Sequence, residues 1–203
     1  MLLVVPLFLA LALALGQGGS VRHLAVLPVR GTGLLFGSFA IQLLLYVPGL
    51  QDSALARHFG GAIYIGALLL VLAGALRNWQ LGVAVRLATL GLVLNTMVVI
   101  LNGGHMPVNA VAMAATQGQA RVGEIAAQEE YSNTELATPS TRLALLSDVL
   151  AVRLPTGYGN VYSVGDALLT TGIAGAVYKA TRRPYCPGKE HAPGRALADI
   201  QAG

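Results

Sequence analysis

The sequence predicts an all-α fold, a polytopic transmembrane helical bundle of about five spans with a short extra helix on the outer face, and three observations carry that expectation. Hydrophobic residues make up 55% of the chain and charged residues only 11%, against roughly 25% charged in an ordinary soluble domain, so the charges are too few to cover a water-exposed surface. Apolar runs recur along the chain, separated by short polar turns. The basic residues lie between those runs rather than on an aromatic-rich or Gly-rich segment, so the formal charge of +4 and the pI near 9.5 speak to membrane topology, not to a nucleic-acid partner. The single cysteine, Cys186, leaves no internal disulfide and no CxxC or Cys/His metal spacing, and neither a metal nor a cofactor is expected.

Taken in order, Met1 to Gly16 is almost wholly Leu, Val and Ala with no preceding Lys or Arg, which reads as a retained, short first span rather than a signal peptide. Gln17 to Gly31, with Arg22, His23 and Arg30 among apolar residues, is expected to lie along the interface. Span two is placed at about Gly31 to Leu50 and closed by Pro48 and Gly49. Asp52, Arg57 and His58 then mark a polar loop, and span three runs from about Gly61 to Leu76. The turn from Arg77 to Gly82 is short enough to force a helical hairpin, with Trp79 as an interface anchor, and span four continues to about Leu101. Residues 102–140 turn polar and Ala-rich, an outer-face loop in which Val122 to Glu135 could form a solvated helix. Thr141 to Leu154 is the extra outer-face helix, and the last span opens at Asp166. This gives a bundle over residues 1–178 and a Pro-, Gly- and charge-rich cytoplasmic tail over 179–203, expected to be poorly ordered without a partner.

Orientation follows from the placement of positive charge. With the amino terminus outside, the inner face receives Arg22, Arg30, Arg77, Arg86, Lys179, Arg182, Arg183, Lys189 and Arg195, of which Arg77, Arg86, Lys179, Arg182 and Arg183 lie close to span ends, the arrangement that the positive-inside rule favours. The expected location is the bacterial cytoplasmic (inner) membrane, multi-pass, amino terminus outside and carboxyl terminus inside.

The residues hardest to explain by packing are Asp148 and Asp166, each embedded in apolar sequence, with Pro155, Gly157 and Gly159 between them. An acid in or beside a span is costly to retain. Read as a helix, the stretch around Asp148 puts Ala144, Leu145, Ala151 and Val152 beside it, with Arg142 or Arg153 as pairing partners if the chain bends. Asp166 ends a Ser163-Val-Gly-Asp166 capping-box pattern, so helix capping alone can account for it. Brought together in a low dielectric the two could not both ionise, and one would keep its proton while the other acted as a base toward water. His58 and His105 sit among turn formers and complete no ligand set. Gly60, Gly61, Gly66 and Gly74 read as close helix contacts, and Gln42 and Asn95 as interhelical hydrogen-bond partners.

Over nearly its whole length the chain resembles an uncharacterised bacterial membrane-protein family, through the short first span, Leu24 to Arg30, Leu101-Asn-Gly-Gly-His-Met-Pro107, Leu146-Ser-Asp148 and Tyr162-Ser-Val-Gly-Asp-Ala-Leu168. That resemblance implies a topology and no activity. Asn160-Val-Tyr-Ser-Val-Gly-Asp-Ala-Leu-Leu-Thr-Thr-Gly-Ile173 is locally similar to the segment opening the last helix of lipoprotein signal peptidases, in which the aspartate is catalytic and its partner lies upstream at the outer membrane face. The similarity would make Asp148 and Asp166 a dyad, with Asn102 and Ser163 as polar support. Ser163 and Gly165 depart from that family's Asn and Ala, and its Gly-Asn-x-x-Asp-Arg element is absent. Those departures favour a non-catalytic accessory subunit packed, among membrane lipid, against a larger membrane complex; the alternative is a membrane-embedded aspartic peptidase-like hydrolase.

Overall fold

Long apolar runs satisfy their own backbone hydrogen bonds as helices, and helices dominate the architecture. The computed structural model describes residues 4–51, 53–127, 131–154 and 157–182, and within them eight α-helices are joined by two 3-10 turns and four short strands. The helices are α1 (Val4–Gly16), α2 (Arg22–Ala25), α3 (Thr32–Leu44), α4 (Ala54–Arg77), α5 (Val83–Leu101), α6 (Ala110–Gln117), α7 (Gln119–Ala126) and α8 (Val164–Arg182). Two of them, α4 and α5, are long and apolar enough to cross a membrane, with mean hydropathy 2.2 and 2.0. The apolar helices α1 and α3 have 13 residues each, about 20 Å of length.

Local chemistry sets several of these boundaries. Helix α4 starts at Ala54, ahead of the expected Gly61, because the Ser53 hydroxyl accepts from the Ala56 N–H at 3.2 Å and caps it there. Helix α3 stops at Leu44 rather than near Leu50, since Pro48 disfavours helix before it and Gly49 adopts a left-handed φ of 84°. Gln17 to Gly31 forms only the single turn α2, and its His23 Nδ1 lies 2.9 Å from the Thr181 carbonyl at the end of α8.

The long helices pack side by side in the order α1, α8, α5, α4, α3. Their directions follow from what touches. Asn95 of α5 meets Asp166 of α8 while Ala88 meets Gly172, so α5 and α8 are antiparallel. The Ser38 hydroxyl donates to the Ala67 carbonyl at 2.7 Å, and Leu35 meets Gly74, so α3 and α4 are antiparallel too. The close α5–α8 approach rests on glycines. A Cβ on Gly91 would strike the Gly165 carbonyl, and one on Gly172 the Ala88 backbone nitrogen. Among the glycines expected to make helix contacts, Gly60 and Gly61 instead receive Tyr131 and Gly103 from the cap, Gly74 meets α3, and Gly66 faces open space.

Residues 102–163 form a folded cap over one end of these helices. Strand β1 (Met106–Val108) pairs in parallel with β2 (Thr134–Leu136), and on its other side Val108 bridges to Asp148. Strands β3 (Leu150–Arg153) and β4 (Gly159–Tyr162) form an antiparallel hairpin with Leu150 opposite Tyr162. The cap has its own core of Val108, Met113, Val122, Ile125 and Val161. Met106 ties it to Leu68, Val98 and Val99 of the helices.

Two expectations for the cap, and one for the tail, are corrected. No outer-face helix spans Thr141 to Leu154: a 3-10 turn at Ala144–Leu146 follows Leu143 in the left-handed region (φ 54°) and leads into β3. Sheet partners capture that segment, with the Asp148 N–H donating to the Pro107 carbonyl (3.0 Å) and the Val149 N–H to the Tyr162 carbonyl (3.1 Å). The helix expected over Val122 to Glu135 is Gln119–Ala126, and Glu135 lies in β2. The tail reading for 179–203 gives way to helix as far as Arg182, and the remainder lies outside the described residues.

The glycine contacts predict opposite effects for two alanine substitutions. Gly172→Ala should cost ~1–3 kcal/mol, because its methyl meets backbone that cannot yield, whereas Gly66→Ala should be neutral or stabilise by up to about 1 kcal/mol. Thermal unfolding of the two purified variants in mild detergent checks the pair; equal stability would show that the close α5–α8 contact is not made.

Candidate functional site

The hairpin and α8 are continuous, since β4 ends at Tyr162 and α8 begins at Val164. Ser163 between them is fully buried and caps the helix reciprocally with Asp166. Its hydroxyl accepts from the Asp166 N–H at 2.9 Å, and its own N–H donates to Asp166 Oδ2 at 3.3 Å, the capping box that the sequence pattern suggests. Asn95 joins this box from α5. Its Nδ2 donates to Asp166 Oδ1 at 2.7 Å, and its Oδ1 accepts from the Ser163 hydroxyl at 2.8 Å. Gly165 is required here, because a Cβ at that position would overlap the Asn95 carbonyl oxygen.

Asp148 reaches the same junction from the other side of the hairpin. Its backbone is clamped at both ends, the N–H donating to the Pro107 carbonyl and the carbonyl accepting from the Asn109 N–H at 2.9 Å. Its side chain is not so provided for: Oδ1 is buried without a hydrogen-bond partner among the described residues. Burial, first, and the neighbouring Asp166 carboxylate, second, push the Asp148 carboxyl from its ordinary 3.8 up to about 7. The two carboxyls therefore sit in contrasting surroundings. Asp166 accepts two N–H donors, from Asn95 and from the Ser163 backbone, while Asp148 is desolvated, which favours its acid.

The other site residues singled out in the sequence fall elsewhere. Asn102 donates to the Val98 and Arg142 carbonyls (2.8 and 2.9 Å) and accepts from the Arg142 N–H (2.9 Å), so it pins the cap to the end of α5 and makes no hydrogen bond to either aspartate. His58 Nδ1 lies 2.9 Å from the Ala54 carbonyl, and His105 Nδ1 lies 2.7 Å from that of Ser132. Among the described residues no group of three or more His, Cys, Asp or Glu converges. Gln42 bonds to Ser38 within its own helix at 3.1 Å, and it is Ser38 that reaches across to α4. Asn95 is interhelical, with Ser163 and Asp166 as its partners.

Two features escape sequence reasoning. Asn78, buried at the opposite end, takes the Arg30 N–H on Oδ1 and donates to the Arg30 and Gly74 carbonyls. Tyr162 and Thr96 each bury a hydroxyl that, like Asp148 Oδ1, has no partner among the described residues. Tyr162 precedes Ser163, and Thr96 follows Asn95. The only signal available for them was chain adjacency to a polar residue inside an apolar run.

These features define a mostly helical protein, with two helices able to cross a membrane and a folded cap whose junction holds two dissimilar carboxyls. The chain belongs to DUF5317, a family of unknown function, whose model matches residues 26–178. No curated protein and no solved structure matches it.

The Asp148 shift has a stability consequence of definite sign. Between about pH 4 and pH 7 the unfolded chain has released the Asp148 proton and the folded one retains it, so this residue's contribution falls as pH rises through that window and is level above it. Asp148→Asn should remove the slope and gain ~2–4 kcal/mol over the wild type at about pH 8, with little difference at about pH 4. Denaturant titrations at the two pH values measure this, and identical slopes for both proteins would mean that the carboxyl is not buried as described.

Proposed function

We propose that the chain is a five-span integral membrane protein of the bacterial cytoplasmic membrane, and that Asp148 and Asp166 form the acid–base centre of a membrane-embedded aspartic hydrolase. In this reading α1, α3, α4, α5 and α8 are the spans of a bundle, with α1 and α3 short enough to require local thinning of the bilayer. The cap faces outward. Arg22, Arg30, Arg77, Arg86, Lys179 and Arg182 cluster at the helix ends away from it, which supports an amino terminus outside and a carboxyl terminus inside. The observation that carries the chemical reading is Asp148 Oδ1, buried with no hydrogen-bond partner among the described residues, in a carboxyl that feels the charge of Asp166, itself held by Asn95 and the Ser163 N–H.

The reaction then runs without a covalent enzyme intermediate. Asp166 takes a proton from water as the water oxygen bonds to a peptide carbonyl carbon, and Asp148 gives its proton to the carbonyl oxygen. Breakdown cleaves the C–N bond, the proton held by Asp166 passes to the leaving nitrogen, and Asp148 recovers its own from the collapsing hydroxyl. Asn95 and Ser163 fix the Asp166 carboxylate, and Asn102 holds the cap over it.

One observation favours the non-catalytic accessory subunit as a second reading. Capping and Asn95 together engage both oxygens of Asp166, and Leu145 and Val111 stand 85% and 78% exposed, as docking residues for a larger complex would.

The two readings diverge on substitution. In the hydrolase reading, Asp148→Asn and Asp166→Asn should each abolish cleavage of tagged single-span model substrates coexpressed with the protein, at unchanged protein levels. In the accessory reading the same variants cleave nothing more or less than the wild type, Asp166→Asn costs about 1 kcal/mol of stability, and mild-detergent purification brings down a stoichiometric companion. Topology has its own measurement. A protease-sensitive tag at Gly203 should be protected in intact spheroplasts and a tag in the cap cleaved, and the reverse pattern would overturn the orientation.

A further inference from the structure

A cavity of about 230 Å³ lies between α3 and α4 at the cap end, walled by Ile41, Leu44 and Leu45 of α3, Leu50 of the turn, and Leu55, Ala56 and Ile63 of α4, with no polar atom on its surface. Its position follows from unequal helix lengths. Helix α4 has 24 residues and α3 only 13, about 36 Å against about 20 Å, and the two are aligned at the opposite end by Arg77 against Gly31. The first turns of α4 therefore project past the end of α3, and the cavity is the corner left between them.

The corner opens sideways. Leu44 and Leu55 line it while standing 54% and 55% exposed. An apolar cavity of this kind does not hold water, which needs polar partners, but does take apolar molecules. We propose that it binds one acyl chain of a membrane phospholipid, an inference that rests on the membrane reading above but not on the aspartate pair. A bilayer hydrocarbon core is about 30 Å thick, so α3 leaves roughly 10 Å of the projecting α4 uncovered at hydrocarbon depth, and a chain lying in the corner covers it. Such a lipid substitutes for the missing turns of α3 and seals the base of the cap, where Leu45, Ala56 and Tyr131 pack together.

Native mass spectrometry of the protein extracted in mild detergent from phosphatidylglycerol and phosphatidylethanolamine nanodiscs tests this. The wild type should retain one phospholipid per chain, and Ala56→Phe, which fills the cavity, should lose at least ten-fold of that occupancy. Ala56→Leu and Leu50→Phe fill it less severely and should lower occupancy in proportion, so the test survives if the phenylalanine at position 56 fails to fold. Leu69→Phe, on an exposed face of α4 remote from the cavity, should leave occupancy unchanged. A wild type without retained lipid, or filled variants that retain it as well as Leu69→Phe does, would overturn the proposal. Recovery of the protein in soluble form without detergent would instead sink the membrane reading itself.

Discussion

The backbone approach of α5 and α8 is the constraint on which the remaining architecture depends. Gly91, Gly165 and Gly172 let two helices meet with backbone against backbone, a separation at which a short side chain such as Asn95 can reach both Ser163 and Asp166. Those bonds fix where α8 begins, and because β4 runs directly into α8 they also fix the hairpin. Asp148 leads into that hairpin, so a contact between Gly91 of α5 and Gly165 in the first turn of α8 ends up bearing on the position of a carboxyl in the cap. Larger residues in the seam would separate the helices and break this sequence at its first step.

Polar groups within the apolar helices are handled by a single device. Ser38, Thr89 and Thr181 are buried, and each donates its hydroxyl to a helix carbonyl, Ser38 across to α4 and the other two within their own helix. Asn78 and Asn102 do the same at opposite ends, each joining a helix terminus to a loop through the loop's backbone. A buried polar side chain left without a hydrogen bond is expensive, and Asn78 and Asn102 turn that requirement into fixed helix ends. Against that background the side-chain oxygens of Thr96, Tyr162 and Asp148 that have no partner among the described residues stand out, because all three belong to segments that meet where the cap joins α5 and α8.

Much of the helical content was legible because its determinants are local. The helix ending at Leu101, the hairpin at Trp79 and the capping box at Ser163 and Asp166 follow from apolar runs, a short polar turn and a residue pattern read within a few positions. The cap was not legible for the opposite reason. Strand β1 finds its partner β2 across two intervening helices, and the segment around Asp148 is drawn into the sheet by Pro107 and Tyr162, partners with no signature near it in sequence. Reading that segment as a helix put the wrong neighbours beside Asp148. Asn95 was recognisable as an interhelical partner, but which helix it served depended on a glycine seam whose two halves lie more than seventy residues apart, as Gly91 and Gly165 do.

The contrast between the two aspartates bears on why the fold tolerates either. Asp166 repays its burial locally, since it caps α8 and accepts from Asn95, and nothing beyond stability is needed to explain it. Asp148 repays nothing of the kind. Its backbone alone makes the sheet contacts, and those would survive any side chain that fits, while the carboxyl gives up solvation with no hydrogen bond to Oδ1 in return. A buried apolar residue there would join β1 to β3 equally well and remove the penalty. The asymmetry therefore leaves Asp148 as the residue that packing explains least, beside a frame of Asp166, Ser163 and Asn95 whose hydrogen bonds account for one another.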